Sequence, residues 1–127
     1  MSPALNLLVN QATEADLERI QAALTAWLTD DATGPPLHQR LGLSRRSARC
    51  ELRNRHLRQA AALITATGAT DRAEQLAERC RTFEVRQWPR LRRQGCDLDS
   101  PPLTRALYQA RQFGPIDLGA RQLLNIL

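Results

Sequence analysis

Arginines are the residues with the clearest chemistry in this sequence, and they cluster between residues 37 and 58. That segment carries seven arginines and one glutamate, a net charge of +6, whereas residues 1–36 carry one arginine and five acids, a net charge of −4. Each arginine that lies near a phosphate releases a condensed counterion and adds salt-sensitive affinity. The placement of these charges therefore indicates a phosphate-bearing partner. The alternative is a solvated helix face whose arginine stems cover neighbouring apolar surface.

The overall composition is less informative about function than the placement of the arginines. All 18 basic residues are arginine and the net charge is +5, but a GC-rich genome produces such a bias without selection for function. Aromatic residues make up only 4% of the chain. This low content argues against modules that bind single-stranded nucleic acid through several stacking rings.

The basic segment contains an ordered set of apolar residues around a glycine. Residues 37–57 read LHQRLGLSRRSARCELRNRHL, and they resemble a helix-turn-helix unit, in which a short helix, a glycine turn and a recognition helix pack together. In that resemblance Gly42 is the turn residue. His38 takes a place where the motif usually has a small residue, so its imidazole has to turn aside. Leu43 is the apolar residue that follows the turn, and the inward-facing residues of the two helices would be Leu37, Leu41, Ala48 and Leu52.

The resemblance implies which side chains would face duplex DNA. The planar fork of arginine can bind guanine O6 and N7 with two hydrogen bonds. A homodimer is expected, because one short unit buries too little surface for specific binding. The side chains expected to touch base edges and phosphates are Ser44, Arg45, Arg46, Arg49 and Arg53. Those expected to contact the DNA backbone are Arg55, Arg58 and a second basic cluster of Arg90, Arg92 and Arg93.

Two other interpretations of the basic face remain open. The segment is an ordinary helical hairpin that only builds the bundle, or the chain is a protein-interaction module or adaptor whose basic face binds an acidic protein surface. Trp88, beside the second basic cluster, either stacks on a partner or closes the end of its helix as a core residue.

Groups that could support catalysis or metal binding are sparse. His38 and His56 are the only histidines, and neither has the nearby serine or cysteine and carboxylate that nucleophilic catalysis requires. The three cysteines, Cys50, Cys80 and Cys96, lack the close pairing typical of zinc sites, and we expect Cys50 to be a buried, unreactive thiol. We therefore predict a binding protein without enzymatic activity, cofactor or metal.

The apolar residues favour helices throughout the chain. Leucine and alanine dominate them, while the sequence has only two valines and four isoleucines, so the residues that favour strands are scarce. We predict an all-α fold. It is expected to be a single compact bundle of five or six helices over residues 1–127, with the helix-turn-helix-like pair at about 37–66.

Local signals predict where the helices begin and end. Thr13 is expected to cap a helix over residues 13–30, and Gly68 and Pro89 to end or kink later helices. The last helix is apolar on most of its circumference and should be buried. The predicted starts of the other helices are Ser44, Asp71 with Glu74, Ser100 and, for a short last helix, Asp117. The predicted buried stripe of the first long helix comprises Leu17, Ile20, Leu24, Trp27 and Leu28.

Targeting signals are not visible in the sequence. The first apolar stretch has no basic residue before it, which is not typical of a secretory leader. The longest apolar run, Ala60 to Ile64, is far shorter than the roughly 20 residues that cross a bilayer. We therefore expect a cytoplasmic protein.

Overall fold

A computed structural model describes residues 2–29 and 34–127, and the regular structure in those ranges is helical, with no strand. The prediction of an all-α fold is confirmed. The described residues form more helices than the five or six predicted, partly because α1 is too short for an apolar period to reveal it. The elements are α1 (Pro3–Leu8), α2 (Glu14–Thr29), α3 (Leu37–Arg40), α4 (Arg45–Ala62), α5 (Ala69–Thr82), a π-helical segment (Phe83–Gln87), α6 (Trp88–Gln94), α7 (Pro102–Arg111) and α8 (Ala120–Ile126).

Internal contacts divide the chain into two units, residues 1–48 and residues 49–127. The boundary falls within α4, which begins in the first unit and continues into the second. The prediction of a single domain over residues 1–127 stays a prediction. None of the helices in the described ranges is long and apolar enough to cross a bilayer.

The first unit is organised by a reciprocal cap at the start of α2. The Asp16 amide donates to Thr13 Oγ1 at 3.2 Å, and the Thr13 amide donates to Asp16 Oδ2 at 3.1 Å. The Asn6 side-chain amide of α1 donates to the same carboxylate at 3.1 Å. The predicted cap at Thr13 is confirmed, and Asp16 both closes the capping box and connects α2 to α1.

The predicted buried stripe of α2 is wrong. No residue of α2 is buried, because the helices that pack against it, α1 and α3, are only six and four residues long. Leu5 of α1 is the buried apolar residue of this unit among the residues described. Asp30 and Asp31, which contribute to the predicted acidity of residues 1–36, lie outside the described residues. The stripe residues and their exposed fractions are Leu17 (43%), Leu24 (38%), Trp27 (46%) and Leu28 (73%), with Ile20 half-buried.

A glycine turn leads from α3 to α4. Gly42 has a φ of +69°, a left-handed conformation that glycine adopts without steric cost. The turn is closed by the Leu43 amide, which donates to the His38 carbonyl at 2.7 Å. The His38 side chain is exposed, so it is turned aside as expected. The Ala48 amide donates to the Ser44 carbonyl at 2.8 Å, which places Ser44 at the predicted start of α4.

The second unit contains the apolar core. The largest fully buried side chains are Phe83, Leu57, Leu76, Ile116, Leu123 and Cys80. They come from α4, α5, α8, the π-helical segment and the loop before α8, and α5 packs against α8. Leu123 confirms burial for one residue of the last helix, but Leu124 and Leu127 remain 40% and 41% exposed.

A π-helical segment accommodates the proline that sequence analysis singled out. Pro89 has no amide hydrogen to donate to the carbonyl four residues earlier, and its ring would collide with that carbonyl in a regular α-helix. The wider π-helical turn of residues 83–87 precedes it, and the chain then continues as α6. Pro89 therefore interrupts the helix rather than stopping it.

Several predicted helix ends are wrong by a few residues. α4 ends at Ala62 instead of Gly68, and α5 starts at Ala69, so Asp71 is its third residue. The Asp71 carboxylate still acts at this helix start, because it accepts the Thr67 amide at 3.1 Å. Ser100 and Asp117 are not the caps of α7 and α8. Pro101 and Gly119 take those positions, and Ser100 lies instead in the turn before α7, where its amide donates to the Asp97 carbonyl.

Candidate nucleic-acid interface

The first turns of α4 present a row of exposed basic side chains. Ser44, Arg45, Arg46 and Arg49 are all exposed. Within a helix, residues three or four positions apart lie on the same face, so Arg45 and Arg46 lie within one turn of Arg49. The geometry of this one helix brings together the residues expected to contact base edges, except for Arg53.

The helix dipole adds to the positive charge at this end of α4. The first turn contains no acidic residue, although acids are the residues that usually stabilise a helix start. A cation near the positive end of a helix is unfavourable by about 0.3–1 kcal/mol. Arg45 and Arg46 therefore lower the intrinsic stability of the helix start, and an anion bound there would offset that cost.

Arg49 has a second role inside the second unit. Its Nε donates to the carbonyl of Phe113, 64 residues away in the chain, at 3.2 Å. The His56 ring stacks on Phe113, with ring centroids 5.9 Å apart and an angle of 3° between the planes. Arg49 and His56 thus fasten α4 to the chain that follows α7. An arginine has five N–H donors, so this hydrogen bond leaves the terminal nitrogens of Arg49 able to contact a ligand.

Arg58 is used in the same way near the other end of α4. Its Nε donates to the carbonyl of Ile126, at the end of α8, at 3.0 Å. A cation near the last carbonyls of a helix satisfies them and complements the negative end of the dipole. The side chain is exposed, so its terminal nitrogens can also face a partner.

The Arg53 side chain is less exposed than a contact to base edges would require, and neighbouring residues hold its guanidinium group. It is half-buried, and its Nε and Nη2 donate to Asn54 Oδ1 at 3.3 and 3.2 Å. Its Nη2 also lies 3.8 Å from Cys50 Sγ. Cys50 is exposed, so the expectation of a buried thiol is wrong. Cys50 lies four residues after Arg46 and three before Arg53, so it shares a face of α4 with exposed and half-buried arginines rather than with the core.

The remaining arginines predicted to contact the DNA backbone lie on two different helices. Arg55 is half-buried on α4. Arg90, Arg92 and Arg93 are exposed on α6, a helix separate from α4. The second basic cluster is therefore accessible but does not belong to the row at the start of α4.

Trp88 lies against the core rather than in a stacking platform. The Arg111 guanidinium carbon lies 4.7 Å from the centre of its ring, and Arg111 Nε lies 2.7 Å from Glu84 Oε1. The same glutamate oxygen accepts the Ile116 amide at 3.0 Å. Sequence analysis missed this cluster because Glu84 and Ile116 are 32 residues apart, and no local spacing connects them.

Two observations concern metal ligands and the reactivity of the buried cysteine. The described residues contain no group of three or more histidine, cysteine, aspartate or glutamate side chains placed to hold a metal ion. Cys80 is buried in the core. Burial, together with the charges of Glu84 and Asp117, raises the pKa of its thiol to about 12. Its thiolate is thus disfavoured, and Cys80 is an inert core residue.

Comparison with known proteins gives no functional assignment. No protein-family model, curated protein or solved structure matches the chain. The exposed arginines of α4 and their surroundings are therefore the features that bear on function.

Proposed function

We propose that this chain is a non-enzymatic protein that binds duplex DNA through the exposed start of α4. The observation that carries the proposal is the row of Arg45, Arg46 and Arg49, exposed at the beginning of an 18-residue helix that follows a glycine turn. A helix of this length can lie in the major groove with its first turns against base edges. The positive helix end and the arginines favour the same ligand, a polyanion.

The contacts of these side chains suggest different roles for them. Arg45 and Arg46 make no hydrogen bond or ion pair with any other described residue, so both guanidinium groups are available to base edges and to phosphates. Arg49 is held at the Phe113 carbonyl, which favours a fixed contact to phosphate through its terminal nitrogens. Ser44 adds a hydroxyl at the same helix start. Arg53 and Arg58, and Arg55 with the cluster on α6, would supply peripheral backbone contacts.

A binding titration with charge-matched variants tests the proposal. A labelled mixed-sequence duplex is titrated at 50 mM salt, and the fluorescence anisotropy is followed. Arg45→Ala with Arg46→Ala should weaken binding at least about tenfold, which corresponds to 1.4 kcal/mol. Arg79→Ala with Arg81→Ala removes the same charge from exposed positions of α5 and should change the affinity much less. Equal losses in the two variants, or no binding by the wild-type protein, would overturn the proposal.

A competitor separates DNA from an acidic protein surface as the partner. Poly-L-glutamate offers carboxylates without phosphates or grooves. It should displace the protein from the duplex only at a large excess over an unlabelled duplex of equal charge. If poly-L-glutamate competes as well as the duplex does, the basic face of α4 is a binding site for acidic proteins and the DNA proposal fails.

A further inference from the structure

A cavity of about 380 Å³ lies beside α7 in the second unit. One of its walls is a single face of α7, formed by Pro102, Arg105, Ala106 and Gln109, whose spacing is that of residues on one side of a helix. The end of α4 and the loop between α6 and α7 form the other walls. Small-molecule sites in proteins typically have volumes of about 300–1,000 Å³, so the cavity is large enough for such a ligand.

Contacts with the rest of the second unit hold the walls of the cavity in place. Gln59 Oε1 lies 3.0 Å from His56 Nδ1, and the ring of Tyr108 lies 6.0 Å from that of Trp88. Ala106 is 7% exposed and belongs to the core. The walls are therefore fixed before any ligand arrives, as they are in most small-molecule sites.

Arg105 is the one charged side chain among the described residues that line the cavity. It is half-buried, and its side chain makes no hydrogen bond or ion pair with any described residue. Its Nε is shut off from water and has no acceptor. A cation that has lost part of its hydration without gaining a partner is unfavourable. An anion that binds the terminal nitrogens of Arg105 would offset this cost.

The surroundings of Arg105 add no negative charge to the cavity. Asp97 and Asp99 are the acids nearest to it along the chain, but both are exposed and neither lines the cavity. The first turn of α7 contains no acidic residue, and Pro102 brings the start of this helix, its positive end, into the wall. The charge of the cavity therefore favours an anionic ligand.

Two leucines that line the cavity are left in water. Leu63 is 51% exposed and Leu98 is 86% exposed. A turn holds Leu98 in the loop, because the Ser100 amide donates to the Asp97 carbonyl at 3.1 Å. An apolar ligand that covers both leucines would remove apolar surface from water, which is favourable. The ligand should therefore combine an anionic group with an apolar body.

We propose that the cavity binds a small carboxylic acid, with its carboxylate at Arg105 and its apolar body against Leu63 and Leu98. The planar fork of arginine matches the two oxygens of a carboxylate, and the Gln109 amide in the same wall can donate a further hydrogen bond. A cavity of about 150 Å³ holds benzene, so this larger one has room for an acid of about eight carbons. The site uses none of the arginines of α4 and is separate from the proposed DNA contact.

The first test compares three ligands that share an eight-carbon chain and differ in the head group. Octanoate, octan-1-ol and octylammonium are each titrated into the full chain by isothermal calorimetry. Octanoate should bind saturably, with one molecule per chain, and the other two should bind at least about tenfold more weakly, because a charge-assisted hydrogen bond to Arg105 is lost. Equal affinity for octanoate and octan-1-ol, or no saturable binding of octanoate at millimolar concentrations, would overturn the proposal.

A pair of charge variants tests the role of Arg105. Arg105→Met keeps the apolar stem and removes the charge, so it should weaken octanoate at least about tenfold and leave the affinity for octan-1-ol unchanged. Arg121→Met removes the same charge from an exposed position of α8 outside the cavity and should leave both affinities unchanged. Circular dichroism checks that the variants are folded. Equal losses of octanoate affinity in the two variants would contradict the proposal.

A pair of leucine variants tests where the apolar body lies. Leu98→Ser should weaken octanoate severalfold. Leu28→Ser removes another exposed leucine, 73% exposed on α2, and should have no effect. Equal effects of the two changes would show that octanoate binds exposed apolar surface in general and would overturn the proposal. A peptide with one glutamate and two leucines that displaces octanoate, and binds more tightly than it, would show a protein ligand instead.

Discussion

Single arginines in this chain support the fold as well as the proposed binding site. Arg49 donates to a carbonyl that follows α7 and Arg58 donates to the last carbonyl of α8, while Arg111 pairs with Glu84 beside Trp88. Sequence analysis predicted the positive charge of these residues but not their partners, because the partners lie far away in the chain. Arg45 and Arg46 are exposed and have no described partner, a combination that they share with Arg90, Arg92 and Arg93 on α6.

The Glu84 cluster gives a prediction at the residue scale. Glu84→Gln keeps an oxygen that can accept the Ile116 amide but removes the attraction to Arg111, so it should lower the free energy of unfolding by about 1 kcal/mol. Glu84→Ala also leaves the Ile116 amide without its acceptor and should cost about 2–3 kcal/mol. Urea unfolding of both variants measures the difference. Equal losses would show that the hydrogen bond to Ile116 contributes nothing.

At the scale of elements, the features that depend on residues close together in the sequence could be predicted. The capping box at Thr13 and the glycine turn at Gly42 depend on residues within a few positions, and the structure has both. The uncovered face of α2 was not predictable, because periodicity shows which face is apolar but not whether another helix covers it. The end of α4 could not be predicted either, because the residues between Ala62 and Gly68 contain no local signal that stops a helix.

The α2 cap predicts a dependence on pH. The Thr13 amide and the Asn6 side chain donate to Asp16 and lower the pKa of its carboxyl group below the usual 3.8. A lowered pKa in the folded state means that the stabilisation is present above pH 3.8 and is lost as the pH falls through the folded-state value. Asp16→Asn should therefore reduce the loss of stability between pH 5 and pH 2, followed by circular dichroism and urea unfolding. An unchanged pH profile would contradict this role of Asp16.

The turn between α3 and α4 gives a second prediction for an element. Gly42→Ala would meet only an ordinary contact with Ser2, 3.8 Å away, so its cost comes from the left-handed backbone and should be about 1–2 kcal/mol. Gly42→Asn is the matched control, because asparagine tolerates this conformation better and should cost less. Thermal unfolding compares the two variants. Equal stability of the Ala and Asn variants would show that the turn relaxes to another conformation.

At the scale of the whole molecule, the distribution of charge in the sequence was more informative than its total. A net charge of +5 is compatible with many functions, whereas the row at the start of α4 is a surface of defined position. A DNA-binding dimer would present two copies of α4, which suits a site with two half-sites.

The salt dependence of DNA binding tests the central claim most directly. Each lost phosphate contact should reduce the slope of log affinity against log salt by about 0.9. We predict that Arg45→Ala with Arg46→Ala flattens this slope by about 1–2, whereas Arg79→Ala with Arg81→Ala leaves it unchanged. The same slope in the α4 variant and the wild-type protein would contradict the claim that the start of α4 binds DNA.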